Sequence, residues 1–282
     1  MKSFGSNLLA AALFLLSVTA SARPVWETLP VEQPLPPLAQ QGRVDHAGAS
    51  IWYGVVGAGQ PIILLHGGRA SGLSWGNQVA ALVESKHQVV LIDSRGHGHS
   101  TMGSEPLSYE LMETDVVAVM DALKVKKAAV AGWSDGGILG LLMAMKNPER
   151  VSKVYAFGPN MNSRFLIPPV DSPIFPLVGP RLAAEYASVA NDPSGFERLS
   201  VAMRAMQHTQ PNYSDAQLAA IKGPDIAIVG ADRDEFITKQ HFEYLAATIP
   251  GARLIMLHDV SHFAPWQDAP AFNASLIDFL DR

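Results

Sequence analysis

The chain has 282 residues, 48% of them hydrophobic and 17% charged, enough to bury a sizeable core in one domain that carries an insertion. A net charge of −5 with no basic run argues against nucleic acid as a partner. Cysteine is absent, which excludes disulfides, thiolate catalysis, cysteine zinc sites and acylation as a lipoprotein.

Residues 1–22 read as a secretory signal peptide. Lys2 supplies the positive start, Leu8 to Val18 is apolar except for Ser17, and Ala20-Ser21-Ala22 offers small residues for cleavage after Ala22. The apolar run is short for a membrane span. The expectation is a periplasmic or secreted protein with no stable membrane insertion after cleavage. Residues 23–41 carry Pro24, Pro30, Pro34, Pro36 and Pro37, which block helices and sheet ladders, so they read as an extended lead-in acting as a spacer.

From Gly42 a regular rhythm begins. Short apolar runs read as strands at Ser50–Val56, Pro61–Leu65, Val89–Ile92, Ala128–Trp133 and Val151–Phe157. Helical spacing appears between them at Trp75–Glu84, Leu111–Leu123 and Gly136–Lys146. The alternation fails over 158–223, which is rich in proline and has plausible helices only at Arg181–Val189 and Phe196–Gln207. It resumes with strands at Ile226–Val229 and Arg253–Leu257 and helices at Lys239–Ile249 and Ala271–Leu280. This predicts an α/β fold: a doubly wound, mostly parallel sheet built from 42–157 and 224–282. Residues 158–223 then form a helical cap over the sheet's carboxyl edge, where such sheets bind ligands.

Gly132-Trp133-Ser134-Asp135-Gly136 fits G-x-S-x-G. The pattern alone arises by chance in roughly one chain in ten of this length. Here it follows an apolar strand and opens an apolar helix, the setting of a nucleophile elbow. That geometry lifts the Ser134 hydroxyl above the sheet edge and puts the Asp135 N–H at a helix N-terminus, where an oxyanion is favoured. A second donor is expected from His66-Gly67-Gly68-Arg69, with Gly68 first and Arg69 next. The Arg69 side chain is also a candidate for the substrate pocket, as is Trp133. The base should follow the last strand, which selects His262 over His258. The acid should follow the strand before it, where Asp232, Asp234 and Glu235 compete.

Together with Asp93-Ser94-Arg95-Gly96-His97-Gly98-His99-Ser100, these motifs resemble the α/β-hydrolase superfamily from about Gly42 to the end. The resemblance implies a serine hydrolase that cleaves a carboxylic ester or amide of a small molecule without metal or organic cofactor. Asp-Arg-Asp-Glu-Phe matches the family's acid loop at Asp234, but one extra residue after Gly230 leaves Asp232 as an alternative. Carbon–carbon bond hydrolysis, proline aminopeptidase action and cofactor-free perhydrolysis use the same triad, and a non-catalytic ligand-binding protein is a further alternative. Gly-Trp-Ser-Asp-Gly-Gly is also similar to the elbow of α-amino-acid ester hydrolases of the valacyclovirase type. In them the acid after the nucleophile helps hold the substrate's amine. Asp135 matches that position; its other reading is a carboxylate that favours the start of its own helix.

Overall fold

The computed structural model describes residues 23–167 and 172–282. The segment read as a signal peptide lies outside the described residues. Eight strands form one sheet: β1 (Gln40–His46), β2 (Ala49–Val56), β3 (Gln60–Leu65), β4 (His87–Ile92), β5 (Ala128–Trp133), β6 (Val151–Phe157), β7 (Asp225–Ala231) and β8 (Arg253–Leu257). Their order is β1-β2-β4-β3-β5-β6-β7-β8; β1 and β2 run antiparallel to their neighbours and the other pairings are parallel. The helices are α1 (Gly76–Glu84), α2 (Tyr109–Ala122), α3 (Asp135–Lys146), α4 (Phe175–Val189), α5 (Phe196–Thr209), α6 (Asp215–Ala219), α7 (Lys239–Thr248), α8 (Ala264–Gln267) and α9 (Ala269–Asp281). Among the described residues, no helix is long and apolar enough to cross a membrane.

The central strands read as unbroken apolar runs because both of their faces are covered. In β3, Ile63 and Leu65 join a core with Met112 and Val116 of α2 and Ile138 of α3. Ile62 and Leu64 face the opposite core, with Val79 of α1 and Phe272 of α9. Each such fully buried side chain contributes about 1.5–3 kcal/mol before ordering entropy is subtracted.

Three expectations need correction. The sequence reading missed β1, an edge strand whose residues alternate between exposed and half-buried and so lack an apolar signature. It also starts at Gln40, inside the stretch read as lead-in. The lead-in is extended, apart from one short turn at Val25–Glu27, but it is no spacer. Gln267 Nε2 donates to the Thr28 carbonyl (3.0 Å), the Gln33 N–H donates to Asn77 Oδ1 (2.8 Å), and Arg181 of α4 reaches the Pro30 carbonyl (2.5 Å) and pairs with Glu32. Helix α4 starts six residues before the expected Arg181, taking in Pro176 and Pro180. Pro176 sits in the first turn, where its missing N–H has no acceptor anyway, so the helix gives up only the bond that Pro180 cannot make.

Candidate active site

Strand β5 runs into Ser134, which adopts φ +55° and ψ −116° before α3 begins at Asp135. A serine in that region is strained, and the neighbours over-determine it. The Ser134 N–H donates to the Phe157 carbonyl at 2.7 Å. A side chain at Gly132 would collide with the Gly136 carbonyl, and one at Gly136 with the Leu65 carbonyl. The two glycines therefore let the turn close and let α3 press against β3.

His262 and Asp234 come from the loops after β8 and β7. His262 Nδ1 lies 2.8 Å from Asp234 Oδ2, with both side chains almost wholly buried. The carboxylate partner assigns the proton to Nδ1 and leaves Nε2 free to accept. The other Asp234 oxygen accepts from the N–H groups of Phe236 and Ile237, both at 2.9 Å, which fixes the carboxylate. Burial alone would lower the pKa of His262; the charge and hydrogen bond of Asp234 outweigh it, and the net shift is upward. Of the three acids weighed from sequence, Asp232 is exposed and lies 3.4 Å from the exposed His258 instead.

Ser134, His262, Gly68, Arg69, Asp135 and Trp133 all border one cavity of about 490 Å³. Asp135 opens α3, so its N–H has no acceptor within the helix. Gly68 packs directly over Asp135: a Cβ there would lie 2.6 Å from Asp135 Oδ2. The two residues expected to face an oxyanion thus border the same cavity in contact with one another. The carboxylate of Asp135 turns away from its own helix. Oδ1 accepts from the Tyr109 hydroxyl (2.7 Å) and Oδ2 from Gln207 of α5 (3.0 Å). Burial raises its pKa against the pull of those two donors. The Trp133 indole donates to the His262 carbonyl at 2.8 Å, so its polar end steadies the histidine loop.

Sequence reasoning missed several contributors and gave Glu235 another role. Gly158, at φ +61° just after β6, would put a Cβ 2.7 Å from His262 Cε1, so the imidazole occupies the space of its absent side chain. Glu235 accepts from the His262 N–H at 3.0 Å. Tyr109 and Gln207 lie far apart in sequence and converge on Asp135. The Gly158-Pro159 pair after a buried strand was the one visible signal.

Residues 60–197 match the family described as "alpha/beta hydrolase fold". That match covers just under half of the chain, and the eight-stranded sheet described above is the same fold. The chain is a serine hydrolase, and relatives span much of its length. The 2-hydroxy-6-oxononadienedioate/2-hydroxy-6-oxononatrienedioate hydrolase of Comamonas testosteroni is 27% identical over 255 residues, covering 79% of this chain and 88% of the relative. Human serine hydrolase BPHL is 28% identical over 250 residues, covering 83% and 84%. In fold, the hydrolase superposes on the meta-cleavage product hydrolase CumD of Pseudomonas fluorescens with TM-score 0.73 at 21% identity, covering 85% of this chain and 97% of that one.

Proposed function

We propose that this chain is an exported hydrolase of small carboxylic esters that works through an acyl-enzyme on Ser134. The observation that carries the reading is the 2.8 Å His262–Asp234 bond beside a cavity that also holds the strained Ser134 turn. Ser134 Oγ attacks the ester carbonyl while His262 Nε2 takes its proton. Asp234 holds the Nδ1–H tautomer and stabilises the imidazolium. The N–H groups of Asp135 and Gly68 donate to the oxyanion. The intermediate collapses, the alcohol leaves with the proton from His262, and water activated by the same base releases the acid.

Fluorophosphonate labelling of wild type and Ser134→Ala, alongside hydrolysis of short neutral esters, tests this reading. Covalent labelling and turnover should both disappear with the hydroxyl; an unlabelled wild type, or turnover that survives in Ser134→Ala, overturns it. A second reading, carbon–carbon hydrolysis of a vinylogous diketone, is supported by the activity named for the Comamonas relative. It predicts turnover of such diketones above that of matched esters. Export rests on the apolar segment and Ala20-Ser21-Ala22. It predicts that protein recovered from its host begins at Arg23; a soluble form retaining Met1 opposes it.

A further inference from the structure

The cavity walls divide by chemistry. Leu166, Phe175, Val178, Leu182, Phe196 and Phe236 supply an apolar side. The polar lining includes Arg69 of the oxyanion loop, Asn160 after β6 and Gln210 after α5. Gln210 Oε1 accepts from the Tyr109 N–H (3.2 Å), which turns its amide N–H groups away from that bond. Asn160 Oδ1 accepts from the Asn162 N–H (3.2 Å), with the same result. Both border the cavity.

Arg69 is the third donor. Its guanidinium forms no ion pair or hydrogen bond among the described residues, and its Nε is buried without a partner. Arg69 also holds φ +66°, a conformation that glycine takes at no steric cost and that strains other residues. A long cationic side chain stands at that strained position, one residue from Gly68. A half-buried guanidinium in an apolar-walled cavity loses hydration that only an anion restores well, and its planar fork matches a carboxylate.

We propose that Arg69 is a specificity-determining residue that binds a carboxylate on the substrate, close to the scissile carbonyl, with Gln210 and Asn160 as supporting donors. The natural substrates are then monoesters of small dicarboxylic acids or similar acidic acyl compounds. Asp135 feels the charge of Arg69, which helps hold its pKa down, but forms no ion pair or hydrogen bond with it. Its two oxygens already accept from Tyr109 and Gln207, which also makes it a poor seat for a substrate amine. This inference rests on the Ser134 acyl-enzyme reading above.

Three methyl esters of equal chain length test it: methyl hydrogen succinate, methyl succinamate and methyl 4-aminobutanoate, with methanol release as the readout. Wild type should favour the anionic ester over the neutral one in kcat/KM by tenfold or more, and rising ionic strength should erode that preference. Arg69→Gln should collapse the anionic-to-neutral ratio towards one, and Arg69→Lys should retain part of it. Arg204→Gln, at an exposed site on α5, should leave the ratio unchanged. Wild type that treats the anionic and neutral esters alike, or prefers the cationic one, overturns the proposal, and this arm needs no variant to fold. Fluorophosphonate labelling separates the failures. A labelled enzyme without anion preference refutes the Arg69 assignment alone, whereas an unlabelled one refutes the hydrolase reading beneath it.

Discussion

The loops at the sheet edge and the segment between β6 and β7 hold their share of the cavity in different ways. At the sheet edge, position is set by backbone. Gly132 and Gly136 permit contacts that no side chain would survive, and Ser134 is pinned by a bond to the Phe157 carbonyl. In the inserted segment, position is set by side chains. Glu185 of α4 accepts from Ser71 (2.5 Å) and Ser74 (3.2 Å), Gln207 of α5 donates to Asp135, and Arg181 stacks on Trp266 (3.7 Å) while gripping the lead-in. Backbone constraints fix reacting atoms to within the tolerance that chemistry needs. Side-chain ties can be exchanged at modest cost, which suits a surface that selects substrates.

The largest effects should therefore come from the edge. Ser134→Ala and His262→Ala should each lower kcat roughly 10³-fold or more, and the double variant should be little worse, because the two act as one unit. Asp234→Asn should cost roughly 10²-fold or more by setting the wrong tautomer, while Asp232→Asn should cost little. Steady-state kinetics on one neutral ester decides these. A larger loss at Asp232 would move the acid and keep the mechanism.

Gly158→Ala sharpens the contrast within the edge. Its Cβ would meet the His262 imidazole, a side chain that can shift, whereas Gly132→Ala would meet fixed backbone. Gly158→Ala should fold, lose roughly tenfold to a hundredfold in kcat and keep its KM. Gly132→Ala should fail to accumulate as soluble protein. Equal behaviour of the two would remove the distinction. The pH profile probes the same imidazole. Because the His262 pKa is raised, the base becomes neutral at higher pH than an ordinary histidine, so the acid limb of kcat/KM should be displaced upward. Asp234→Asn removes the raising charge and should move that limb to lower pH.

The difference between the regions also explains what could be read from the sequence. The buried strands and α1, α3, α7 and α9 carry periodic apolar patterns, and the Gly-Trp-Ser-Asp-Gly turn sits between two of them. Ser134, His262 and the acid loop were legible because each follows a strand in chain order. Edge strand β1 was not, since half-exposed polar residues carry no periodicity signal. Tyr109, Gln207 and Glu185 were not, because their roles exist only across tertiary contacts. Arg181 and Trp266 lie 85 positions apart, and no local pattern announces that they stack.

The smallest expected effect lies on the tie between Glu185 and the two serines, and its sign depends on pH. Burial raises the Glu185 pKa, and the bonds from Ser71 and Ser74, with the charge of Arg181, only partly offset that rise and the repulsion from Asp93. A carboxyl with a raised pKa in the folded state holds its proton more tightly folded than unfolded. Its contribution to stability therefore falls as pH rises from the unfolded pKa through the folded one. Glu185→Gln keeps an oxygen that can accept from both hydroxyls, since both bonds converge on Oε1. It carries no charge to desolvate. Thermal melts should thus show Glu185→Gln gaining on wild type between acidic and mildly alkaline pH, with kcat unchanged within about twofold. Glu185→Ala should melt lower than wild type across that range, because two buried hydroxyls lose their acceptor. It should also raise KM more than it lowers kcat, since α4 supplies cavity wall and none of the reacting groups. A kcat loss in Glu185→Ala matching that of Gly158→Ala would show that the insertion positions the chemistry as firmly as the sheet does.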